Sequence, residues 1–333
     1  MLDTKTARSR VLVLDDYEGL ASGVPAFEKL KAHSDVTVMT NRIETDEELG
    51  QALQNIDSVL LVRERTRFGE KQLSLGSSLK LISQTGKGIA HLDLPVATQR
   101  GIAVAVTPNE PGTSTIELTF GLILALLRRI PQIDRRMREE AWPVIPGQLL
   151  EGKTIGIIGL GRIGKEVARI AQAFRTRILA SGKTLTEERA REVGATRVSL
   201  EHLLRESDIV TLHARLNGAT RDLLGEKELS MMKPGAFLIN TSRGPLVSES
   251  ALLHALEKGH LAGVGLDVYN EEPLPLAHPL RRFDNVVLLS HRGYATVEIL
   301  CERFEHAMNN ILNFLEGRPT NLLNPEVLAK ENK

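Results

Sequence analysis

The stretch "KTIGIIGLGRIGKEVARIA", residues 153–171, decides the fold of this 333-residue chain. It begins with the β-branched run of a buried strand and ends with the apolar spacing of an amphipathic helix. Gly159, Gly161 and Gly164 stand between the two. A strand, a G-x-G-x-x-G turn and a helix, in this order, form a fingerprint in which the helix amides face a pyrophosphate. We therefore predict that this turn binds a dinucleotide.

The rest of the chain repeats the same alternation of short β-branched runs and helical patterns, which is typical of an α/β protein with parallel sheets. Five strand candidates lie in the first 108 residues, and six more follow the polar stretch around Trp142. The pattern predicts two Rossmann-like, doubly wound parallel-sheet domains with an interdomain cleft. We place a flavodoxin-like substrate domain at residues 1–107 and 292–333, and the dinucleotide-binding domain at residues 108–291.

Two longer helices are predicted as well. The mostly apolar stretch 114–130 reads as one helix that Pro131 ends, and the final amphipathic helix spans about residues 296–316. Charges at both ends of the first helix indicate a buried interdomain or dimer helix rather than a membrane span. Trp142, the only tryptophan, is expected to cap a core or to make a subunit contact.

Composition excludes several classes of function. The 42 basic and 42 acidic residues balance, so no charge excess indicates binding to nucleic acid or to an anionic membrane. The start of the chain lacks the apolar run of a signal peptide, and the single cysteine, Cys301, forms no intrachain disulfide. No His, Cys or Asp cluster has metal-ligand spacing. We expect a cytoplasmic protein without a metal, a nucleic-acid partner or a membrane span.

The segment "RILASGK", residues 177–183, lacks an expected acid. Enzymes that prefer NAD place an Asp or Glu at this distance from the glycine turn to bind the ribose hydroxyls, and that acid repels a 2′-phosphate. Here Ser181, Gly182 and Lys183 take its place, and residues 167–186 contain no acid at all. A hydroxyl, a flexible amide and an ammonium suit a phosphate. We expect NADP to be favoured over NAD; the alternative is a solvated lysine and NAD bound through the main chain.

Three polar residues follow later strands of the dinucleotide-binding series. Arg243 follows "LINTS", Glu272 follows "GLDVYNE" and His291 follows "VVLLS". The carboxyl ends of parallel strands are where open α/β sheets bind ligands. A guanidinium binds the carboxylate and carbonyl of a 2-oxo acid, a histidine protonates the carbonyl oxygen as hydride arrives, and a carboxylate keeps that histidine charged. The three are predicted to be catalytic.

With "GLGRIG", the segments "MKPGAFLINTSRGPLV", "GLDVYNEEPLP" and "LLSHRGY" resemble the D-2-hydroxyacid dehydrogenase family over nearly the whole chain. That family includes glyoxylate/hydroxypyruvate reductases and phosphoglycerate dehydrogenases. The resemblance implies that Arg243 binds substrate, that Glu272 pairs with His291, and that His291 is the acid/base. It also implies a contact of Asp267 with the nicotinamide carboxamide. A homodimer is expected on the same grounds, with the 114–130 helix as a candidate contact.

The family anchors the substrate carboxylate on backbone amides of a loop that matches "GKGIAHLD" here, so Lys87 and Gly88 are substrate-binding candidates. Arg63 and Arg65 follow a strand that should point toward the cleft; one of them reaches substrate, or both are surface arginines. His91, by contrast, is expected to be structural or solvated.

The chain departs from the family pattern at several positions, which leave the identity of the substrate open. Ser290 stands where many members have proline before the histidine, and Arg215 occupies another proline position. Two other readings stay open: a dinucleotide-sensing, corepressor-like binding protein, and a dehydrogenase of an unusual substrate such as phosphite. The cofactor-binding candidates are Gly159, Gly161, Arg162, Ile163, Gly164, Ser181, Gly182, Lys183, His213, Ala214, Thr241 and Asp267.

Overall fold

The computed structural model describes residues 8–108, 112–139 and 142–329. The chain divides into two compact units, the first formed by Met1–Glu110 with Thr296–Lys333 and the second by Pro111–Ala295. Each unit contains one sheet, and the ladders between its strands are all parallel. The two doubly wound α/β sheets predicted from the sequence are confirmed.

The first unit contains a five-stranded sheet with helices on both faces. Its elements are β1 (Ser9–Leu14), β2 (Ser34–Val38), β3 (Ser58–Leu61), β4 (Leu81–Gln84), β5 (Ala103–Val106), α1 (Pro25–His33), α2 (Asp46–Ala52), α3 (Glu70–Leu75), α4 (Leu94–Gln99) and α12 (Val297–Leu315).

The strand order in this sheet is β2-β1-β3-β4-β5. Because both faces of the sheet are covered, its central strands read as continuous apolar runs rather than as alternating ones. The last helix of the chain, α12, completes the unit: Phe304 and Met308 are buried with Leu30 of α1. The Ser83 hydroxyl of β4 donates to the Ala307 carbonyl at 2.8 Å. Residues more than 200 positions apart in sequence thus form one core.

The second unit contains a sheet for which the structure describes seven strands. Its elements are β6 (Thr154–Ile158), β7 (Arg177–Ser181), β8 (Thr196–Arg197), β9 (Ile209–Leu212), β10 (Ala236–Asn240), β11 (Leu261–Leu266), β12 (Val286–Leu288), α5 (Thr113–Leu127), α6 (Ile130–Glu139), α7 (Arg162–Ala173), α8 (Glu187–Arg191), α9 (Leu200–Glu206), α10 (Glu226–Met231) and α11 (Glu249–Glu257).

The strand order here is β12-β11-β10-β9-β6-β7-β8, with β6 in the interior of the sheet. The sequence pattern missed β8, because this edge strand has only two residues and both are exposed, so it carries no hydrophobic signal. On one face of the sheet, α5 buries Ile123 and Leu126 in the same core as Ile157 of β6.

The prediction of one helix over residues 114–130 is wrong. The first helix, α5, ends at Leu127, and a second helix, α6, starts at Ile130. Arg129 lies between them with φ +53°, a left-handed conformation that interrupts the helix. Pro131 falls in the first turn of α6, where the missing amide hydrogen costs nothing, so it does not end a helix here.

Trp142 is 78% exposed and therefore covers no core, which corrects one of its two predicted roles. Within the part of the chain that the structure describes, no helix is long and apolar enough to cross a membrane. Among the same residues, no group of three His, Cys, Asp or Glu side chains comes together as a metal site.

Candidate active site

The glycine turn between β6 and α7 has the geometry that the sequence requires. Gly159 has φ +97°, and a Cβ there would lie 2.7 Å from the Ala214 amide nitrogen. A Cβ on Gly164 would collide with the Gly159 carbonyl, so only glycine lets the helix pack on the turn.

Gly161 differs from its two neighbours. It is the N-cap of α7 and is exposed, and a Cβ built on it would meet no atom of the described residues within 4 Å. Internal packing therefore does not demand glycine at this position, whereas close approach of a ligand to the backbone would. The free amides of the helix N-terminus favour an anion at the same place. The turn fits the pyrophosphate of a dinucleotide.

The turn after β7 lies beside the glycine turn. The Ser181 carbonyl accepts a hydrogen bond from the Gly159 amide at 2.9 Å, and Lys183 is exposed two residues further on. Arg189 of α8 joins the two turns, because its guanidinium donates to the Thr184 carbonyl at 2.9 Å and to the Leu160 carbonyl at 3.3 Å. Sequence reasoning missed Arg189, since no motif marks a side chain that bridges two loops.

The end of β9 forms the other wall of the glycine turn. The His213 amide donates to the Ile158 carbonyl at 2.8 Å, and the His213 ring nitrogen Nε2 lies 3.0 Å from the Thr211 hydroxyl. Burial lowers the pKa of His213 to about 4, so this ring is neutral at pH 7. The backbone of His213 and Ala214 lies against Gly159, which is where the sequence predicted a cofactor contact.

His291 and Glu272 form a hydrogen-bonded ion pair at the ends of β12 and β11. His291 Nδ1 lies 2.7 Å from Glu272 Oε2, and the two side chains are 26% and 35% exposed. The other carboxylate oxygen, Oε1, accepts a hydrogen bond from the Tyr269 amide at 2.9 Å. Burial alone would raise the pKa of Glu272, but the His291 bond and charge, this amide and the Arg243 charge together lower it. Glu272 is thus a carboxylate at neutral pH.

Asp267 fixes the residues that follow His291. It is buried at the end of β11, and its two carboxylate oxygens accept hydrogen bonds from the Arg292 amide at 2.6 Å and the Gly293 amide at 2.7 Å. Burial raises the pKa of Asp267, although the two amides oppose the rise. His291 itself has φ +56°, a strained backbone conformation for a residue with a side chain. These two hydrogen bonds to Asp267 therefore fix the strained turn that carries His291.

Arg243 follows β10 in a turn tied to its neighbours. The Asn240 amide group donates to the Arg243 carbonyl at 2.9 Å, and the Ser242 hydroxyl donates to the Ala214 carbonyl at 2.7 Å. A Cβ on Gly244 would collide with the Tyr269 backbone, so this turn packs closely on the loop that carries Glu272. Arg243 is exposed, and its charge acts on Glu272. The structure thus brings the three predicted catalytic residues together at neighbouring strand ends.

Thr241, a predicted cofactor contact, is buried beside α5. Its hydroxyl lies 3.1 Å from that of Thr119, and Thr115 of the same helix donates to the Gly293 carbonyl at 2.8 Å. Helix α5 thereby supports both the Arg243 turn and the His291 turn from one side.

The predicted substrate-binding residues Lys87 and Gly88 belong to the first unit and follow β4. Lys87 is exposed, and the Gln84 side-chain amide donates to the Gly88 carbonyl at 3.3 Å. Arg65, one of the two arginines considered for substrate contact, is held internally: it donates to the Asp15 carbonyl at 2.6 Å and pairs with Glu18 at 2.7 Å. Arg65 therefore fixes the turn after β1.

The fold and the site together are those of a nicotinamide-dependent dehydrogenase. Residues 120–293 match the family model described as "D-isomer specific 2-hydroxyacid dehydrogenase, NAD binding domain". The chain is 42% identical over 266 residues to a glyoxylate reductase of Aeropyrum pernix, covering 77% of this chain and 79% of the relative. It is 38% identical to a glyoxylate reductase of Thermofilum pendens, covering 91% and 92% of the two chains.

Solved structures agree with this result. A phosphoglycerate oxidoreductase from Vibrio cholerae superposes with a TM-score of 0.85 at 32% identity, covering 93% of this chain and 99% of that one. The chain belongs to the D-isomer specific 2-hydroxyacid dehydrogenase family. It is an oxidoreductase that uses a nicotinamide cofactor and acts on a small 2-oxo or 2-hydroxy acid.

Proposed function

We propose that this enzyme reduces a small 2-oxo acid of the glyoxylate or hydroxypyruvate type to its D-2-hydroxy acid, with NADPH preferred to NADH. The observation that carries the proposal is the His291–Glu272 ion pair, with Nδ1 and Oε2 2.7 Å apart, beside Arg243 at neighbouring strand ends. The names of the two archaeal relatives support glyoxylate as a substrate.

In this mechanism the nicotinamide, when bound, supplies the hydride that reduces the 2-carbon. Arg243 binds the substrate carboxylate and carbonyl oxygen bidentately and stabilises the negative charge that develops on that oxygen. His291 donates a proton to the same oxygen from Nε2, since Glu272 accepts the hydrogen bond at Nδ1. Glu272, ionised at neutral pH, stabilises the imidazolium and holds the ring in one orientation.

Two further roles belong to the same proposal. The backbone amides at Lys87 and Gly88 bind the substrate carboxylate. Asp267 would accept a hydrogen bond from the nicotinamide carboxamide while it holds the His291 turn, because each carboxylate oxygen has a second lone pair beside the one used by an amide.

The preference for NADPH rests on the turn after β7. Ser181, Gly182 and Lys183 offer a hydroxyl, a backbone amide and an ammonium, and residues 167–186 contain no acid that would repel a 2′-phosphate. The Ser181–Gly159 hydrogen bond places this turn directly beside the glycine turn. Arg189 holds the two turns together, so the phosphate would meet a fixed rather than a mobile loop.

We also propose a homodimer, with α6 as a contact. This helix buries no residue within its own chain, yet it carries the apolar side chains of Ile130, Ile133 and Met137 on one face. Ile130 and Met137 are 54% and 47% exposed, and Trp142 lies just beyond the helix. An exposed apolar stripe of this kind favours burial against a second subunit. Sedimentation equilibrium of the wild type and of Met137→Asp tests the contact.

The experiment that tests the reaction measures initial rates with glyoxylate and with hydroxypyruvate, each with NADPH and with NADH. We expect turnover with both acids and a higher kcat/KM for NADPH. Lys183→Gln should lower kcat/KM for NADPH about five- to tenfold and leave that for NADH unchanged, since an exposed charge–phosphate pair contributes about 1 kcal/mol. Lys227→Gln, at an exposed lysine of α10, is the matched control. Equal use of both cofactors would disprove the preference, and no turnover would disprove the reaction.

A further inference from the structure

The loop after β3 lies directly on the loop proposed to bind the substrate carboxylate. A Cβ built on Gly88 would collide with the Glu64 carboxylate, so this carboxylate occupies the space in front of Gly88. Arg63 lies in the corresponding place over Gly86, where a Cβ would come within 2.8 Å of its guanidinium. The two loops therefore place an acid, rather than a base, at the glycine whose amide is proposed to bind substrate.

Among the described residues, no ion pair joins Glu64 to a basic side chain, although Lys87 precedes Gly88 on the same loop. His91 belongs to the same loop, and both its ring nitrogens are buried and lack a hydrogen-bond partner among the described residues. Burial lowers the pKa of His91, and although the Glu64 charge opposes this, the net direction keeps the ring neutral at pH 7. The Arg63 guanidinium is engaged by other groups of the chain and lies over Gly86 instead.

We propose, on the basis of the proposed function, that Glu64 is a specificity residue that restricts the substrate to 2-oxo acids with one negative charge. The single carboxylate of glyoxylate or hydroxypyruvate binds the Lys87–Gly88 amides, and a small neutral substituent fits beside Glu64. A second anionic group, such as a phosphate ester on the 3-carbon, would lie within a few ångströms of the Glu64 charge and be repelled. The hydroxyl of hydroxypyruvate, in contrast, can donate to that carboxylate.

The test compares two substrates that differ in this one group, hydroxypyruvate and 3-phosphohydroxypyruvate, and uses the ratio of their kcat/KM values. Three proteins are assayed with NADPH: the wild type, the isosteric Glu64→Gln, and Glu64→Asp, which keeps the charge. Glu47→Gln is the control, because Glu47 is an exposed acid of the same unit on α2. Circular dichroism melts establish that each variant is folded.

We expect the wild type to discriminate against the phosphorylated acid, and Glu64→Gln to raise its relative kcat/KM about tenfold or more, since each tenfold change corresponds to about 1.4 kcal/mol of repulsion removed. Arg63 and Lys87 remain in this variant and leave the loops net positive, which should favour the phosphate further. Glu64→Asp and Glu47→Gln should keep the wild-type ratio. The discrimination should weaken at high ionic strength, because Glu64 is exposed.

An unchanged ratio in a folded, active Glu64→Gln protein would overturn the role of Glu64 and leave the proposed function standing. Equal use of the two acids by the wild type would also overturn it. If the wild type reduced none of hydroxypyruvate, glyoxylate and the phosphorylated acid, the proposed function would be overturned, and the role of Glu64 in substrate specificity would fall with it. The same three proteins therefore separate the two failures.

Discussion

The two sheets of this chain are both parallel and doubly wound, with different strand orders, and they also differ at the turn after the first strand of each sheet. In the first unit β1 lies between β2 and β3, and in the second unit β6 lies between β7 and β9, so both strands stand where a doubly wound sheet reverses direction. After β6 comes the glycine turn of residues 159–164. After β1 come Asp15 and Asp16, both buried. A ligand site is expected at both places, and only one has the turn that accepts a phosphate.

Asp16 shows why the first turn is closed to an anion. Its carboxylate accepts hydrogen bonds from the Leu20 and Ala21 amides, both at 3.0 Å, at the start of the short helix that follows β1. Such helix-start amides are the groups that bind a phosphate elsewhere. In the first unit the chain supplies its own anion to them, whereas Gly161 leaves the second set open. Two doubly wound sheets therefore need not bind the same ligand, because the turn after the first strand determines whether a phosphate can bind.

The largest test removes the proton donor of the second sheet. His291→Gln should lower kcat for 2-oxo acid reduction about 100-fold or more, because a positioned acid/base contributes at least this much. Steady-state rates at saturating NADPH measure it. His202→Gln, at an exposed histidine of α9, should stay near the wild-type rate. A kcat for His291→Gln within a few-fold of the wild type would show that His291 is not the proton donor.

The next test concerns the closed turn. Asp16→Ala should destabilise the first unit by about 1–3 kcal/mol, since the buried Ala21 amide and the partly buried Leu20 amide lose a charged acceptor. The affinity for the cofactor should not change. Hydrogen exchange of peptides from the first unit measures the stability, and Asp35→Ala, at an exposed ion pair, should have little effect. Weaker cofactor binding in Asp16→Ala would contradict the conclusion that only the turn after β6 binds the cofactor.

A substitution in the glycine turn after β6 should have the opposite effect: it should weaken cofactor binding without changing stability. Gly161→Ala adds a methyl group where the described residues leave space, so the melting temperature should not change. The Kd for NADPH should rise about tenfold, because the methyl group occupies the space of the pyrophosphate. Fluorescence titration measures the Kd, and Gly218→Ala, which also faces open space, is the control. An unaltered Kd would mean that the pyrophosphate does not approach Gly161.

The smallest effect expected is on the acid stability of the second unit. The pKa of Glu272 is lowered by folding, so its contribution is complete above the ordinary carboxyl pKa and is lost as the pH falls through the folded value. Glu272→Gln should therefore be less stable than the wild type at pH 7, by less than about 1 kcal/mol because the pair is partly exposed and screened. Urea unfolding from pH 7 to 3 should show this difference shrinking. A difference that grows on acidification would contradict the lowered pKa.

Features that depend on local chemistry were predictable from the sequence. The glycine turn is an example. A side chain at Gly159 or Gly164 would collide with the backbone, and the G-x-G-x-x-G motif marks both positions in the sequence. The common placement of Arg243, Glu272 and His291 was predictable for a similar reason: each follows a strand, and parallel strands end at one edge of the sheet. The two sheets themselves follow from the alternating pattern.

Features that leave no mark in a short sequence motif were not predictable. The bridge made by Arg189 joins two turns through backbone carbonyls, which every residue has. The break between α5 and α6 lies in the φ of Arg129, a residue with no strong preference for that conformation. No motif marks Asp16 in the sequence, and only the structure shows the amides that it caps.

The route of the chain also determines the order in which the protein can be built during synthesis. The second unit is continuous, whereas the first needs α12, whose Phe304, Ala307 and Met308 enter the core formed by β1, β3 and β4. A ribosome that has released residue 295 has supplied the whole second unit and only part of the first. Until the last helix emerges, the nascent first sheet therefore has one apolar face that only α1 partly covers, which leaves apolar surface exposed to aggregation.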